Sequence, residues 1–132
     1  MFTYDIIPRR SETNATGHID HTVLPVWFEQ ARTPIYEIFN PDLSLATWNT
    51  VIRSMTIDYL GQVYHNRPIE IRTAIGEIKT SSFNIEQELW QAGTLVARAR
   101  TVLVYFDYQH QRKQAITPDL RQRLQALTRP EN

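Results

Sequence analysis

Apolar residues recur along the chain first at a spacing of three to four and then at two, which separates a helical stretch from a run of strands. Residues 2 to 8 read as a short opening strand closed by Pro8. Residues 10 to 20, RSETNATGHID, are polar and contain Gly17, so they read as an ordered loop. Asp20 stands before Thr22–Phe39, where Leu24, Phe28, Ala31, Ile35 and Phe39 fall at helical spacing. Val23, Val26, Trp27 and Ile38 widen that stripe over most of the circumference, which predicts a helix wrapped by other structure. Pro34 lacks an N–H and predicts a kink, or a restart after Thr33. Asn40-Pro41-Asp42 ends the helix.

Beyond it the period is two. Residues 48 to 60 are rich in β-branched and aromatic types. Ile69, Ile71, Thr73 and Ile75 alternate with Glu70, Arg72 and Ala74, and the phase slips at Gly76, which predicts a bulge. Phe83, Ile85, Gln87 and Leu89 alternate with Asn84, Glu86 and Glu88. Gln91-Ala92-Gly93-Thr94 has turn chemistry, and residues 95 to 108 carry the longest strand pattern. Thr117-Pro118-Asp119 is a helix start, with Leu120, Leu124 and Leu127 on one face. Four strands in succession predict an antiparallel meander curled over one long helix, an α+β arrangement in a single domain over 1–132. One sheet face and both edges are then uncovered, which predicts pairing of two sheets edge to edge in a homodimer.

Composition narrows the chemistry. The 132 residues hold 14 basic and 14 acidic side chains, so the net charge is zero, against a partner bound by neutralising many phosphates; no nucleic acid is expected. The absence of Cys excludes disulfides, thiolate nucleophiles and zinc–thiolate sites. No segment is long and apolar enough to cross a membrane, and the start MFTYDIIPRR is not a secretory signal, so the expected location is the cytoplasm. A G-x-S-x-G elbow and a glycine-rich phosphate loop are both missing.

The run from Arg10 through Gly17-His18-Ile19-Asp20-His21 to Trp27-Phe28-Glu29-Gln30-Ala31-Arg32 resembles the signature of the hotdog-fold acyl-CoA thioesterases related to 4-hydroxybenzoyl-CoA thioesterase. Tyr59, Pro68, Ser82-Phe83, Val102–Phe106 and Pro118 extend the likeness over roughly residues 3 to 125. The resemblance implies a hotdog fold and hydrolysis of acyl thioesters, on CoA or acyl carrier protein. It implies a homodimer or tetramer with the pantetheine arm in a tunnel at the dimer interface. No separate cofactor is implied, because CoA or phosphopantetheine arrives as part of the substrate. It also places the backbone N–H of His21, at the helix start, against the thioester carbonyl. That fits the unpaired donors and positive end of any helix N-terminus.

One position departs from the pattern. Where many relatives carry a catalytic aspartate, three residues before the glycine, this chain has Asn14, and an amide is no general base. Asp20 is the favoured replacement base and His18 the second, with Glu12 and Glu29 as further candidates and Asn14 holding a water or the carbonyl. Each has a plainer reading. Asp20 suits a helix N-cap, His18 a structural loop bond, and Glu29 an ion pair with Arg32 or Arg53. A metal held by His18, Asp20 and His21 does not match a recognised ligand spacing, and none is expected. For the phosphates the resemblance points to Lys79, Thr80, Ser81 and Ser82, with Arg112, Lys113, Arg121 and Arg123 as a second group. Trp27, Tyr36 and Trp48 are candidate walls for a fatty acyl chain. A non-catalytic acyl-thioester binding module and a hotdog dehydratase are the competing functions.

Overall fold

The computed structural model describes residues 1–130. Its strands are β1 (Phe2–Ile6), β2 (Thr50–Tyr59), β3 (Ile69–Ile78), β4 (Ser82–Gln91), β5 (Thr94–Asp107) and the two-residue β6 (Arg112–Lys113). They form one antiparallel sheet in the order β1-β3-β4-β5-β2, with β6 on the end of β5. The meander expected of the four long strands holds only for β3-β4-β5. The 50s strand crosses to the far side and pairs with β5 instead of β3. The connection of residues 60 to 68 is long enough for that crossing, and alternation along a strand carries no information about which neighbour it takes.

Local signals fare better. The register of β3 on β4 slips between Ile75 and Ile78, at Gly76. A Cβ at Gly76 would come within 3.3 Å of the Asn84 Cβ and a Glu86 carboxylate oxygen. Ala92 and Gly93 both take positive φ, the two-residue hairpin turn that the β4–β5 link needs. Thr117 caps α3 (Pro118–Gln125) by accepting from Leu120 N–H at 3.2 Å, and Leu124 is fully buried.

The single helix expected over Thr22–Phe39 is instead a 3₁₀ turn (His21–Val23) followed by α1 (Leu24–Ala31) and α2 (Thr33–Phe39). The interruption falls at Arg32, and proline is the local cause. Pro34 has no N–H for the carbonyl of Gln30, and the Thr33 hydroxyl donates to that carbonyl instead at 2.7 Å. Arg32 N–H turns to Glu29 O at 3.0 Å, which frees the carbonyl of Phe28.

Both helices pack on the inner face of the sheet, over two apolar clusters. One gathers Leu24, Trp27, Phe28 and Ala31 against Ile69, Ile71, Leu89 and Ala97. The other gathers Ile35, Tyr36 and Phe39 against Ile75, Phe83, Ile85 and Leu103. Between them runs a polar belt of Thr73, Gln87 and Thr101, directly beneath the helix break, into which Arg32 projects with 1% exposure. The outer face answers the expectation of an unprotected surface in another way. Across four strands the register aligns Arg72, Glu88, Arg98 and Asp58, a row of alternating charge suited to water. Among the described residues no helix is long and apolar enough to cross a membrane.

Candidate active site

Residues 12 to 23 form a tight polar loop that ends on the 3₁₀ turn. Asn14 N–H donates to His18 O at 2.8 Å and Gly17 N–H to Asn14 O at 3.0 Å, with Gly17 at φ 82° closing the turn. Ile19 N–H reaches Val63 O and Asp20 N–H reaches Glu12 O, which pins the loop to its surroundings. Glu12 itself is committed. One carboxylate oxygen accepts from Arg9 N–H at 2.7 Å, the other from the Trp27 indole N–H at 3.1 Å.

Asp20 is the N-cap of the 3₁₀ turn. The same carboxylate oxygen accepts from the backbone N–H of Thr22 at 3.1 Å and from its hydroxyl. The hydroxyl bond of Thr22, then its backbone N–H, hold the Asp20 carboxyl below the ordinary aspartate value, and the His21 ring and the Asn14 amide add to the effect. Val23 N–H is taken by Asp20 O at 3.0 Å. His21 N–H, the first of the turn, meets no acceptor among the described residues. The His21 side chain is exposed. Its ring stands edge-on to Tyr59, and the Tyr59 hydroxyl donates to its carbonyl at 3.1 Å.

Asn14, His18, Asp20 and His21 thus share one small loop. Asn14 Oδ1 accepts from Thr16 N–H at 3.0 Å, and the Thr16 hydroxyl lies 2.6 Å from that oxygen and 3.0 Å from His18 Nδ1. The His18 ring meets Tyr64 edge-on. The sequence gives no site role to Thr16, Thr22 or Tyr64, and marks Tyr59 only as part of the family likeness. The Asn-x-Thr spacing of 14 to 16, an Asx-turn pattern, is the signal that marks Thr16.

Glu29 lies apart from this loop. It is exposed and lines a groove of about 360 Å³ on the outer flank of α1 and α2, with Val26, Thr33, Tyr36, Leu43 and Trp48. Its expected ion pair with Arg32 is not formed, because Arg32 turns inward to the Tyr36 hydroxyl at 3.1 Å and to Gln87. Among the described residues no ion pair joins Glu29 to Arg53 either. Of the three expected acyl walls, Tyr36 and Trp48 line this groove and pack on each other at 5.2 Å. Trp27 does not: it is buried at 3% exposure, with its indole N–H on Glu12. A larger depression of about 460 Å³ opens on the outer face among Glu86, Glu88, Arg98 and Arg100. Neither depression is lined by Asn14, His18, Asp20 or His21.

Lys79, Thr80, Ser81 and Ser82 make the β3–β4 hairpin, and their carbonyls serve the fold. Those of Thr80, Ser81 and Ser82 accept from Ile116, Tyr105 and Lys79 N–H, while Arg121 donates to Lys79 O at 2.8 Å. Arg123 pairs with Asp119 at 3.2 Å. The loop residue Ile19 shares an apolar cluster with Ile69 and Ile71, toward the other end of β3 from this hairpin. Eight residues of strand separate Ile71 from Lys79, about 26 Å at 3.3 Å per residue. One chain therefore does not bring the loop and the hairpin together. Among the described residues no group of three His, Asp or Glu side chains is placed to hold a metal ion.

Several solved structures similar to this chain are described as thioesterases. A predicted thioesterase from Bacillus stearothermophilus is 38% identical, covers 99% of this chain and 98% of its own, and superposes with a TM-score of 0.95. A thioesterase from Thermus thermophilus, solved with coenzyme A and Zn, is 23% identical over 98% of this chain and 96% of its own, with a TM-score of 0.85. A 1,4-dihydroxy-2-naphthoyl-CoA thioesterase from Synechocystis is 18% identical over 98% of both chains, with a TM-score of 0.81. No curated protein matches the sequence. The model of the Thioesterase-like superfamily matches residues 8–124. With its curled sheet, its helices on the inner face and that match, the chain belongs to the Thioesterase-like superfamily as a hotdog-type thioesterase.

Proposed function

We propose that this protein hydrolyses acyl-CoA thioesters at the start of the 3₁₀ turn, with His18 as the base. The observation that carries the reading is the His21 N–H, left without an acceptor among the described residues beside a loop that holds His18 and Asn14. Water attacks the thioester carbonyl carbon as its proton passes to His18 Nε2. The oxyanion is met by His21 N–H, in the place where a helix start offers unpaired donors. The C–S bond then breaks, and the imidazolium returns the proton to the departing thiolate, leaving a carboxylic acid and free CoA.

Asp20 is the weaker base. One oxygen already holds two bonds to Thr22, and those bonds stabilise the ionised form, which lowers its affinity for a proton. Glu29 lines the flank groove apart from the loop, and in this reading it serves the acyl part rather than the reacting carbonyl. The apolar walls of that groove, Val26, Tyr36, Leu43 and Trp48, favour a fatty or aryl acyl group.

A second copy completes the site in this proposal. β2 offers ten residues of open edge beside the exposed Ile52, Tyr59 and Leu60, which suits antiparallel pairing of two chains into a homodimer. If Lys79–Ser82 take the CoA phosphates, they do so for the thioester held by the other protomer, since their own loop is too far away. A carrier-protein substrate would make that phosphate contact dispensable.

A free-thiol assay over acetyl-, decanoyl- and benzoyl-CoA and the matching carrier-protein thioesters tests the reading. His18→Gln is expected to lower kcat by about 10²-fold or more, and Asp20→Asn by less than about tenfold. Loss of activity in Asp20→Asn with His18→Gln near wild type would reverse the assignment. Tight binding of every thioester without thiol release would make the protein a binding module.

A further inference from the structure

We infer that Thr16 is a positioning residue: its hydroxyl selects the ring tautomer of His18 that leaves Nε2 free to accept a proton. The inference rests on the hydrolysis proposed above. Three contacts decide it. Thr16 N–H donates to Asn14 Oδ1 at 3.0 Å, which identifies that atom as the amide oxygen, because an NH₂ group accepts nothing. The Thr16 hydroxyl stands 2.6 Å from the same oxygen, and of the two only the hydroxyl has a hydrogen to give. Its single proton is thereby committed to Asn14. What the hydroxyl oxygen then offers His18 Nδ1, 3.0 Å away, is a lone pair. A hydrogen bond at that distance requires the proton on Nδ1, and in the neutral ring Nε2 is then bare.

The order is therefore His18 Nδ1–H to Thr16 Oγ, and Thr16 O–H to Asn14 Oδ1. The Asn14 amide is also among the groups that hold the Asp20 carboxyl ionised. Bonds aligned in one direction polarise one another, so the Asn14 acceptor strengthens the hold of Thr16 on the imidazole. The amide at position 14 thus has a part that needs no basicity: it is the fixed acceptor that orients the threonine.

Long-range proton–nitrogen NMR of the imidazole rings tests the tautomer, with the His18 signals assigned by their loss in His18→Gln. Wild type is expected to carry the neutral-ring proton on Nδ1. In Thr16→Val the Nε2–H form is expected to appear, and kcat to fall about tenfold or more with KM changed less than about twofold. Thr16→Ser, which restores the hydroxyl, is expected to recover both the spectrum and kcat. A wild-type His18 with its proton on Nε2 overturns the inference, as does a Thr16→Val protein with unaltered tautomer and kcat. If Thr16→Val does not fold, the wild-type spectrum and the Thr16→Ser protein still decide. Wild type inactive on every thioester defeats the hydrolysis proposal alone, because the tautomer is read without turnover.

Discussion

Two helix interruptions, about twelve residues apart along three turns of helix, meet the same backbone problem in opposite surroundings. At the 3₁₀ turn the first N–H groups face water. Asp20 takes that of Thr22, and that of His21 is left over. At Arg32 the freed groups lie over the sheet, and each finds a partner. Gln87 Nε2 donates to Phe28 O at 3.0 Å and to the Thr73 hydroxyl at 3.2 Å, and its Oε1 accepts from Arg32 Nη1 at 3.4 Å. The Thr33 hydroxyl serves Gln30 O. The difference has a physical reason. A polar group orphaned in the core loses its water with nothing in exchange, whereas an orphan at the surface keeps its water until a substrate replaces it. A helix end can hold a donor in reserve for chemistry only where solvent can stand in. The buried break supports the fold, and the exposed turn is where the reaction is proposed.

The contrast breaks first, if it is wrong, at Gln87. Gln87→Leu leaves Phe28 O, Thr73 and Arg32 without their shared partner in a dry belt, so a loss of about 2–3 kcal/mol is expected, read by urea unfolding. A change below about 0.5 kcal/mol would mean that water or a second arrangement satisfies the belt. Thr33→Ala is the intermediate case, since the site is only half-buried: about 0.5–1 kcal/mol is expected in the same measurement. The smallest stability effect belongs to Asp20→Asn, and its signature is pH. The folded Asp20 carboxyl is lowered from 3.8, so its contribution is whole above that value and fades as pH falls through the lowered one. The gap between wild type and Asp20→Asn is therefore expected to be constant near neutrality and to close in acid. A gap that grows as the pH falls would contradict the capping role.

What was legible in advance divides along the same line. The helix stripe of Leu24, Phe28, Ala31, Ile35 and Phe39, the bulge at Gly76 and the cap at Thr117 depend on spacing and on one or two residues, so they can be read locally. The proline at 34 announced a kink or a restart after Thr33, and the helix restarts one residue earlier, at Thr33 itself, after a break at Arg32. The loop motif brought Asn14, His18, Asp20 and His21 together for the same reason, being contiguous. Thr16 escaped because its part depends on a proton's direction rather than on residue type. Arg32 was expected to answer Glu29 three residues back; it turned inward, because Gln87 and Tyr36 offered it acceptors, the first from an element far along the chain.

By itself, then, the chain's alternation of apolar and polar residues determined its elements and the face each buries, because these follow from neighbours within a turn or a pleat. Only the tertiary structure decided that β2 lies beside β5, that the phosphate candidates at 79–82 sit a strand's length from the loop, and that opposite charges alternate across the outer face. Those outcomes depend on which surfaces meet across dozens of residues, and no local period encodes that choice.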